Sequence, residues 1–136
     1  MTVIRLLVAE DNDFVRRALV DFLTADGDIA VVAECADGDE VEAAWERTRP
    51  DVVMLDLAMQ RIGGLEACGR LLARDPGARV VFLTGRQTTA AVREARRLGA
   101  VGFLSKAERP ERLMEHLRTV ASGGTAWFDG VESDAG

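Results

Sequence analysis

The sequence predicts an α/β fold: a doubly wound parallel sheet of five strands with helices on both faces. Three features lead there. Five short apolar runs recur along the chain, five segments of helical periodicity alternate with them, and chemically capable polar residues follow four of the runs. Such alternation implies right-handed crossovers that lay the strands parallel and cover the sheet on both sides.

The first run, Val3 to Ala9, is short and nearly all apolar, as a strand buried on both faces requires. Glu10, Asp11, Asn12 and Asp13 stop it. From there Phe14, Val15, Ala18, Leu19, Phe22 and Leu23 recur at helical spacing and predict an amphipathic helix ending near Asp26-Gly27. Ile29 to Ala33 forms a second strand. Asp39 to Arg47 forms a short helix with Val41, Ala44 and Trp45 inward and Pro50 just past its end. Val52 to Leu55 makes a third strand that ends at Asp56.

A loop with Gly63-Gly64 leads to a helix from about Leu65 to Ala73, and Asp75-Pro76-Gly77 turns the chain into a fourth strand, Val80 to Leu83. Thr88 to Leu98 is a helix with Gly99 as its C-cap. Val101 to Leu104 is the fifth strand, and Pro110 in a first-turn position opens a last helix to about Ala121. Periodicity does not set the strand order; the flavodoxin-like order 2-1-3-4-5 is one of two common solutions and fits five strands. The domain is expected over residues 1–121. Residues 122–136 form a tail or the start of an interdomain linker, in which Trp127 and Phe128 either pack back on the domain or lead to a partner surface.

At 136 residues, with 48% hydrophobic and 29% charged residues, the chain has the size and composition of one globular domain rather than of a disordered or disulfide-scaffold protein. No run nears the length of a membrane span and the N-terminus lacks a signal-peptide pattern, so a soluble cytoplasmic protein is expected. Cys35 and Cys68, with a single histidine in the chain, suggest buried small hydrophobes rather than a zinc site or a disulfide. The net charge of −6 argues against nonspecific nucleic-acid binding. That charge is unevenly spread: residues 1–56 hold 14 acids and 5 bases (−9), residues 57–136 hold 9 acids and 12 bases (+3). Sixteen of the 17 bases are arginine, which marks Lys106 as a position where a compact, flexible ammonium is needed.

In a doubly wound sheet ligands bind beyond the carboxyl ends of the strands. Glu10 and Asp11 follow the first strand, Asp56 the third, Thr84 the fourth, and Ser105 and Lys106 the fifth. Clustered carboxylates repel one another unless a cation neutralises them, and an all-oxygen set suits magnesium better than zinc. A carboxylate can accept a phosphoryl group, whose charge then needs a metal, an ammonium and hydroxyl donors. Asp56, Lys106 and Thr84 supply these roles.

The segments Leu6-Leu7-Val8-Ala9-Glu10-Asp11, Val53-Met54-Leu55-Asp56-Leu57-Ala58-Met59, Val81-Phe82-Leu83-Thr84-Gly85 and Gly102-Phe103-Leu104-Ser105-Lys106 resemble the receiver domain of bacterial two-component response regulators, over residues 3–121. The resemblance implies that Asp56 takes a phosphoryl group from the phosphohistidine of a sensor histidine kinase. It further implies that Glu10, Asp11, Asp56 and the backbone carbonyl of Ala58 surround Mg2+, that Thr84 and Lys106 bind the phosphoryl oxygens, and that Phe103 is the switch aromatic. Phosphorylation would bias a surface built from the fourth helix, fifth strand and fifth helix, whose Arg93, Arg96 and Arg97 are a candidate contact face, with homodimerisation as the expected outcome. The Gly123-Gly124-Thr125-Ala126-Trp127 ending is similar to the subgroup whose receivers precede a helix-turn-helix domain, so DNA would be reached only through an output domain outside this chain.

Gln60 departs from the family, standing where a proline usually follows methionine, and Ala107 stands where many receivers carry proline. Arg86 and Ala58 occupy positions that vary and tune phosphoryl lifetime. An aspartate-nucleophile phosphatase needs an acid where Ala58 stands, and a flavin or nucleotide module needs a glycine-rich loop where Glu10, Asp11 and Asp13 would repel phosphate. The remaining alternative is a single-domain or unphosphorylated receiver acting as a protein-binding module.

Overall fold

Successive strand residues face opposite sides of a sheet, so each fully apolar run feeds two cores at once. The computed structural model, which describes residues 2–85 and 88–127, shows this directly. Its strands are β1 (Ile4–Ala9), β2 (Ile29–Cys35), β3 (Val52–Leu55), β4 (Val80–Thr84), β5 (Gly102–Ser105) and β6 (Ala126–Trp127), all parallel in the order β2-β1-β3-β4-β5-β6. The first five follow the flavodoxin-like order; the sixth was not visible in the periodicity. Helices α1 (Asp13–Thr24), α2 (Val41–Thr48), α3 (Gly64–Arg74), α4 (Thr89–Leu98) and α5 (Pro110–Ala121) complete the unit.

One core joins Leu7, Val53, Leu55, Phe82 and Phe103 to the inner faces of α2, α3 and α4. The other joins Leu6, Val8, Met54, Leu83 and Leu104 to Leu23 of α1 and to Leu113, Leu117 and Val120 of α5. The helix ends follow their residues. Asn12 accepts from the Val15 amide at 2.9 Å and Thr88 from the Ala91 amide at 3.1 Å, each capping a helix start, while Gly99 closes α4 at φ 103°. Cys35 and Cys68 are buried free thiols, each pushed up to about 12 by burial, as small core hydrophobes would be.

Three differences from the periodicity have physical causes. The six apolar residues of α1 do not all turn inward: Val15 and Leu19 are half-buried and Leu23 is buried on one i, i+4, i+8 stripe, while Phe14 and Phe22, off that stripe, are 83% and 37% exposed. Next, β2 runs on to Cys35 through a register shift between Leu6 and Leu7, and a 3-10 turn at Gly38–Glu40 precedes α2. Last, the chain folds back after α5. Gly123 takes φ 100°, the Gly124 amide donates to the Thr119 carbonyl at 2.9 Å, and Ala126 and Trp127 pair with Gly102 and Phe103. A side chain at Gly102 would place its Cβ 2.9 Å from the Ala126 carbonyl oxygen, so glycine there permits the strand to approach. Trp127 thus packs on the domain, with the Arg96 guanidinium 4.1 Å from its ring centroid; Phe128 lies outside the described residues.

Candidate functional site

The carboxyl ends of the strands are aligned by backbone bonds before any side chain acts. The Glu10 amide donates to the Cys35 carbonyl at 3.0 Å, Asp56 to Ala9 at 3.0 Å, and Lys106 to Thr84 at 2.9 Å. β1, β3, β4 and β5 therefore present their following residues at one edge. Glu10, Asp11 and Asp56 bring a carboxylate oxygen apiece within 4.8 Å of one another. The Lys106 ammonium donates to Glu10 Oε1 at 2.6 Å and lies 3.5 Å from Asp56 Oδ2. Thr84 is buried at the end of β4, in register with Ser105. Ala58 is exposed in the loop two residues beyond Asp56.

The electrostatics follow from crowding. Burial and the adjacent Glu10 charge push Asp56 up to about 6, only partly offset by Lys106. Burial and Glu10 likewise raise Asp11. Burial works against the charge of Glu10 too, but the Lys106 bond and the Asn12 amide, 3.1 Å from Oε2, outweigh it and hold Glu10 below the usual carboxylate range. Lys106 is raised because the two acids outweigh its own burial. One ammonium thus meets two of the three clustered carboxylates. An all-oxygen donor set with surplus negative charge fits a hard divalent cation, and among the described residues it is the one cluster of that kind.

A carboxyl whose folded pKa is raised holds its proton more tightly folded than unfolded, so ionising it costs stability as pH rises from its ordinary value, 3.8, through about 6. Asp56→Asn in metal-free protein is therefore expected to be more stable than wild type at pH 7.5, by about 1–3 kcal/mol. The gain should shrink below pH 6 and vanish below pH 4; thermal melts at four pH values, with chelator present, measure it.

The sequence missed Asp37. Its carboxylate, 3% exposed as a residue, accepts from the Arg61 amide at 2.8 Å and the Ile62 amide at 2.9 Å, contacts that hold it down at about 2 despite burial. Ending the second strand at Ala33 left Asp37 out of the strand-end residues; carrying it to Cys35 would have brought Asp37 among them. Ala107, in the place of a family proline, uses the amide that a proline lacks, donating to Ser105 Oγ at 3.0 Å. Phe103 is fully buried, its ring centroid 5.7 Å from that of Phe82. Arg86 lies outside the described residues.

The response regulator receiver domain family model matches residues 6–118. The chain belongs to this family. It is 36% identical over 120 residues to the uncharacterized transcriptional regulatory protein YxjL of Bacillus subtilis, covering 88% of this chain and 55% of that protein. It is 32% identical to the chemotaxis protein CheY of Listeria monocytogenes over 87% of this chain and 98% of the relative. Among solved structures, a LuxR-family two-component response regulator from Aurantimonas sp. SI85-9A1 superimposes with a TM-score of 0.91 at 28% identity, covering 98% of this chain and 95% of that one. The receiver thus spans about half the length of its transcription-regulatory relative and nearly all of its chemotaxis relative.

Proposed function

We propose that this receiver accepts a phosphoryl group on Asp56 from the phosphohistidine of a sensor histidine kinase and converts that event into a change of surface. The observation that carries this reading is the convergence of Glu10, Asp11 and Asp56 within 4.8 Å, with the sole lysine of the chain 3.5 Å from Asp56. In the transfer, an Asp56 carboxylate oxygen bonds to phosphorus as the phosphorus–nitrogen bond breaks; the electron pair returns to the imidazole nitrogen, which takes up a proton. Lys106 and Thr84 donate to the phosphoryl oxygens. Glu10, Asp11, Asp56 and the Ala58 carbonyl would hold Mg2+, which when bound neutralises charge on the transferring group. The chain acts as a switch that assists only its own phosphorylation and dephosphorylation.

Incubation with Mg2+ and acetyl phosphate, followed by intact mass measurement, tests this. One added phosphoryl group is expected, and none with chelator in place of Mg2+. No gain in either sample, with the fold intact, would refute it.

Drawing Thr84 toward the phosphoryl group shifts the packing beside Phe103 and biases the face made by α4, β5 and α5. On that face Arg97 pairs with Glu94 at 2.9 Å, Arg96 stacks on Trp127, and Arg93 is exposed. Phosphorylation would promote homodimerisation through this face, and transcriptional output through a DNA-binding domain outside these residues accords with the transcription-regulatory relatives. The likeness to the chemotaxis protein CheY supports, as the second reading, a receiver that acts by binding a protein. Among the described residues no helix is long and apolar enough to cross a membrane, and a cytoplasmic site of action accords with the reading.

The kinase must bring its phosphohistidine to Asp56. A groove of about 290 Å³ between α1 and α5, lined by Val15, Leu19, Phe22, Lys106, Pro110 and Leu113, borders the site, and Phe14 stands exposed on the same helix. Phe14→Glu is expected to slow transfer from the kinase about tenfold or more, as the loss of a contact aromatic does. Uptake from acetyl phosphate, which needs no docking, should stay within twofold of wild type; a kinase assay beside an acetyl phosphate assay separates the two.

A further inference from the structure

Resting on the phosphoryl-acceptor reading, we propose that Asp37 is a positioning residue for the cation: it holds the loop after Asp56 in the conformation that presents the Ala58 carbonyl to the three carboxylates. The loop from Leu57 to Gly63 is anchored at both ends. At its start the Leu57 amide donates to Asp56 Oδ1 at 2.9 Å, and the Gly64 amide returns to the Leu57 carbonyl at 2.8 Å. Its far half is gripped from the β2–α2 connection. Asp37 Oδ1 accepts from the Arg61 amide, Oδ2 accepts from the Ile62 amide, and the Gly38 amide donates to the Ile62 carbonyl at 3.1 Å. The approach is close enough that a Cβ on Gly38 would sit 2.2 Å from that carbonyl oxygen.

Three bonds within two residues fix a segment that has no proline of its own, since Gln60 stands exposed where receivers commonly carry one. Rigidity that a proline ring supplies from within the loop is here supplied by an acid from the neighbouring connection. The chemistry suits aspartate in particular. The Arg61 and Ile62 amides, and the Asp39 amide at 3.3 Å from Oδ2, are all N–H groups, so both oxygens must accept, and an asparagine at this position would turn its NH2 toward one of them. Asp37 touches none of the three clustered carboxylates by hydrogen bond; its charge reaches Asp11 through space, and its bonds reach the site through the loop.

A loop free to sample other conformations binds more weakly in proportion to the fraction of time it spends in the competent one, yet reaches the same complex once saturated. Asp37→Asn is thus expected to raise the Mg2+ dissociation constant about tenfold, while the rate of phosphorylation by acetyl phosphate at saturating Mg2+ stays close to wild type. A residue that served stability alone would lower the melting temperature and leave the Mg2+ constant unchanged.

The experiment is an amide NMR titration of the whole chain with MgCl2, on wild type and three variants. Asp39→Asn removes a nearby carboxylate that pairs with the Arg61 side chain at 2.8 Å without touching the loop amides, so it controls for charge lost from the connection, and repeating the titration at high salt screens the charge that Asp37 itself presents to Asp11. Val120→Ala loosens the opposite core and controls for lost stability. Weakened Mg2+ binding in Asp37→Asn, with both controls near wild type, is the expected result. An unchanged constant in Asp37→Asn, or an equal loss in either control, overturns the positioning role. Should Asp37→Asn fail to fold, amide exchange at Arg61 and Ile62 in wild type gives the answer, because coupling is reciprocal: Mg2+ must slow exchange there, and exchange indifferent to saturating Mg2+ overturns the proposal. Wild type that binds no Mg2+ at all would instead refute the site reading on which this inference rests.

Discussion

Asp56→Asn is expected to take up no phosphoryl group from acetyl phosphate or from a kinase, under conditions where wild type gains one. The amide has no anionic oxygen to bond to phosphorus, and the carboxylate nearest the ammonium, Glu10, is not free to substitute. Glu10 is committed to the Lys106 ammonium at 2.6 Å and to the Asn12 amide, and burial opposes rather than aids its charge. Variants of the groups that stabilise the transferring charge should behave differently. Lys106→Met retains the nucleophile but loses the ammonium 3.5 Å from it, and is expected to slow uptake about 100-fold or more without abolishing it, the usual effect of removing one preorganised donor. Intact mass spectra over time distinguish the two outcomes. Slow uptake in Asp56→Asn at a rate matching Lys106→Met would mean that another residue accepts the group.

Gly64→Ala carries the second large effect. A Cβ at Gly64 would lie 2.1 Å from the backbone oxygen of Asp56, 3.0 Å from its carbonyl carbon and 3.1 Å from Leu57 Cα. Every one of these neighbours is backbone, so no rotamer change relieves the clash. Either α3 or the phosphoacceptor must move. The expected cost is about 3 kcal/mol or more, seen as a fall in melting temperature on the order of 10 °C. Phosphoryl uptake should fall as well at temperatures where the variant remains folded, because the displaced carbonyl belongs to Asp56 itself. Gly27→Ala is the comparison: Gly27 has φ 79° but nothing within 4 Å of an added Cβ, so its variant should show only the cost of a left-handed backbone, about 1 kcal/mol.

These two predictions rest on unlike information. The role proposed for Asp56 could be read from the chain because ligands of a doubly wound sheet bind beyond its strand ends, and the strand ends, though not the strand order, announce themselves in periodicity. Five buried runs, their order of appearance and the polar residues that close them sufficed to assemble Glu10, Asp11, Asp56, Thr84 and Lys106 at one edge. Their placement in the folded chain agrees, and the sole lysine does meet two of the acids. The weight on Gly64 was not legible, since a glycine in a Gly-Gly pair reads as a turn and nothing in its neighbours tells that the Asp56 carbonyl will lie against it.

Asp37 marks the same boundary from the other side. Its partners, the amides of Arg61 and Ile62, lie 24 and 25 positions away. Local spacing carries no trace of such a bond. The exposure of Phe14 and Phe22 on α1 was hidden for a related reason: amphipathic periodicity shows that a helix has an apolar face, not how much of that face the sheet will cover. β6 was hidden because two residues are too few to establish a period, although Trp127 among small and polar neighbours hinted that something packs there.

What the sequence determined by itself is therefore the fold class, the residues that gather at the strand ends and the family, because each depends on patterns repeated within a few residues or on the identity of a side chain at a strand terminus. What only the tertiary structure decided is which backbone groups are brought into contact across the chain: the grip of Asp37 on the loop, the carbonyl against Gly64, and the return of Trp127 beneath Arg96. The physical reason is that these depend on distances between distant segments, set by the packing of whole helices against the sheet, and packing at that precision is a property of the assembled cores rather than of any window of residues.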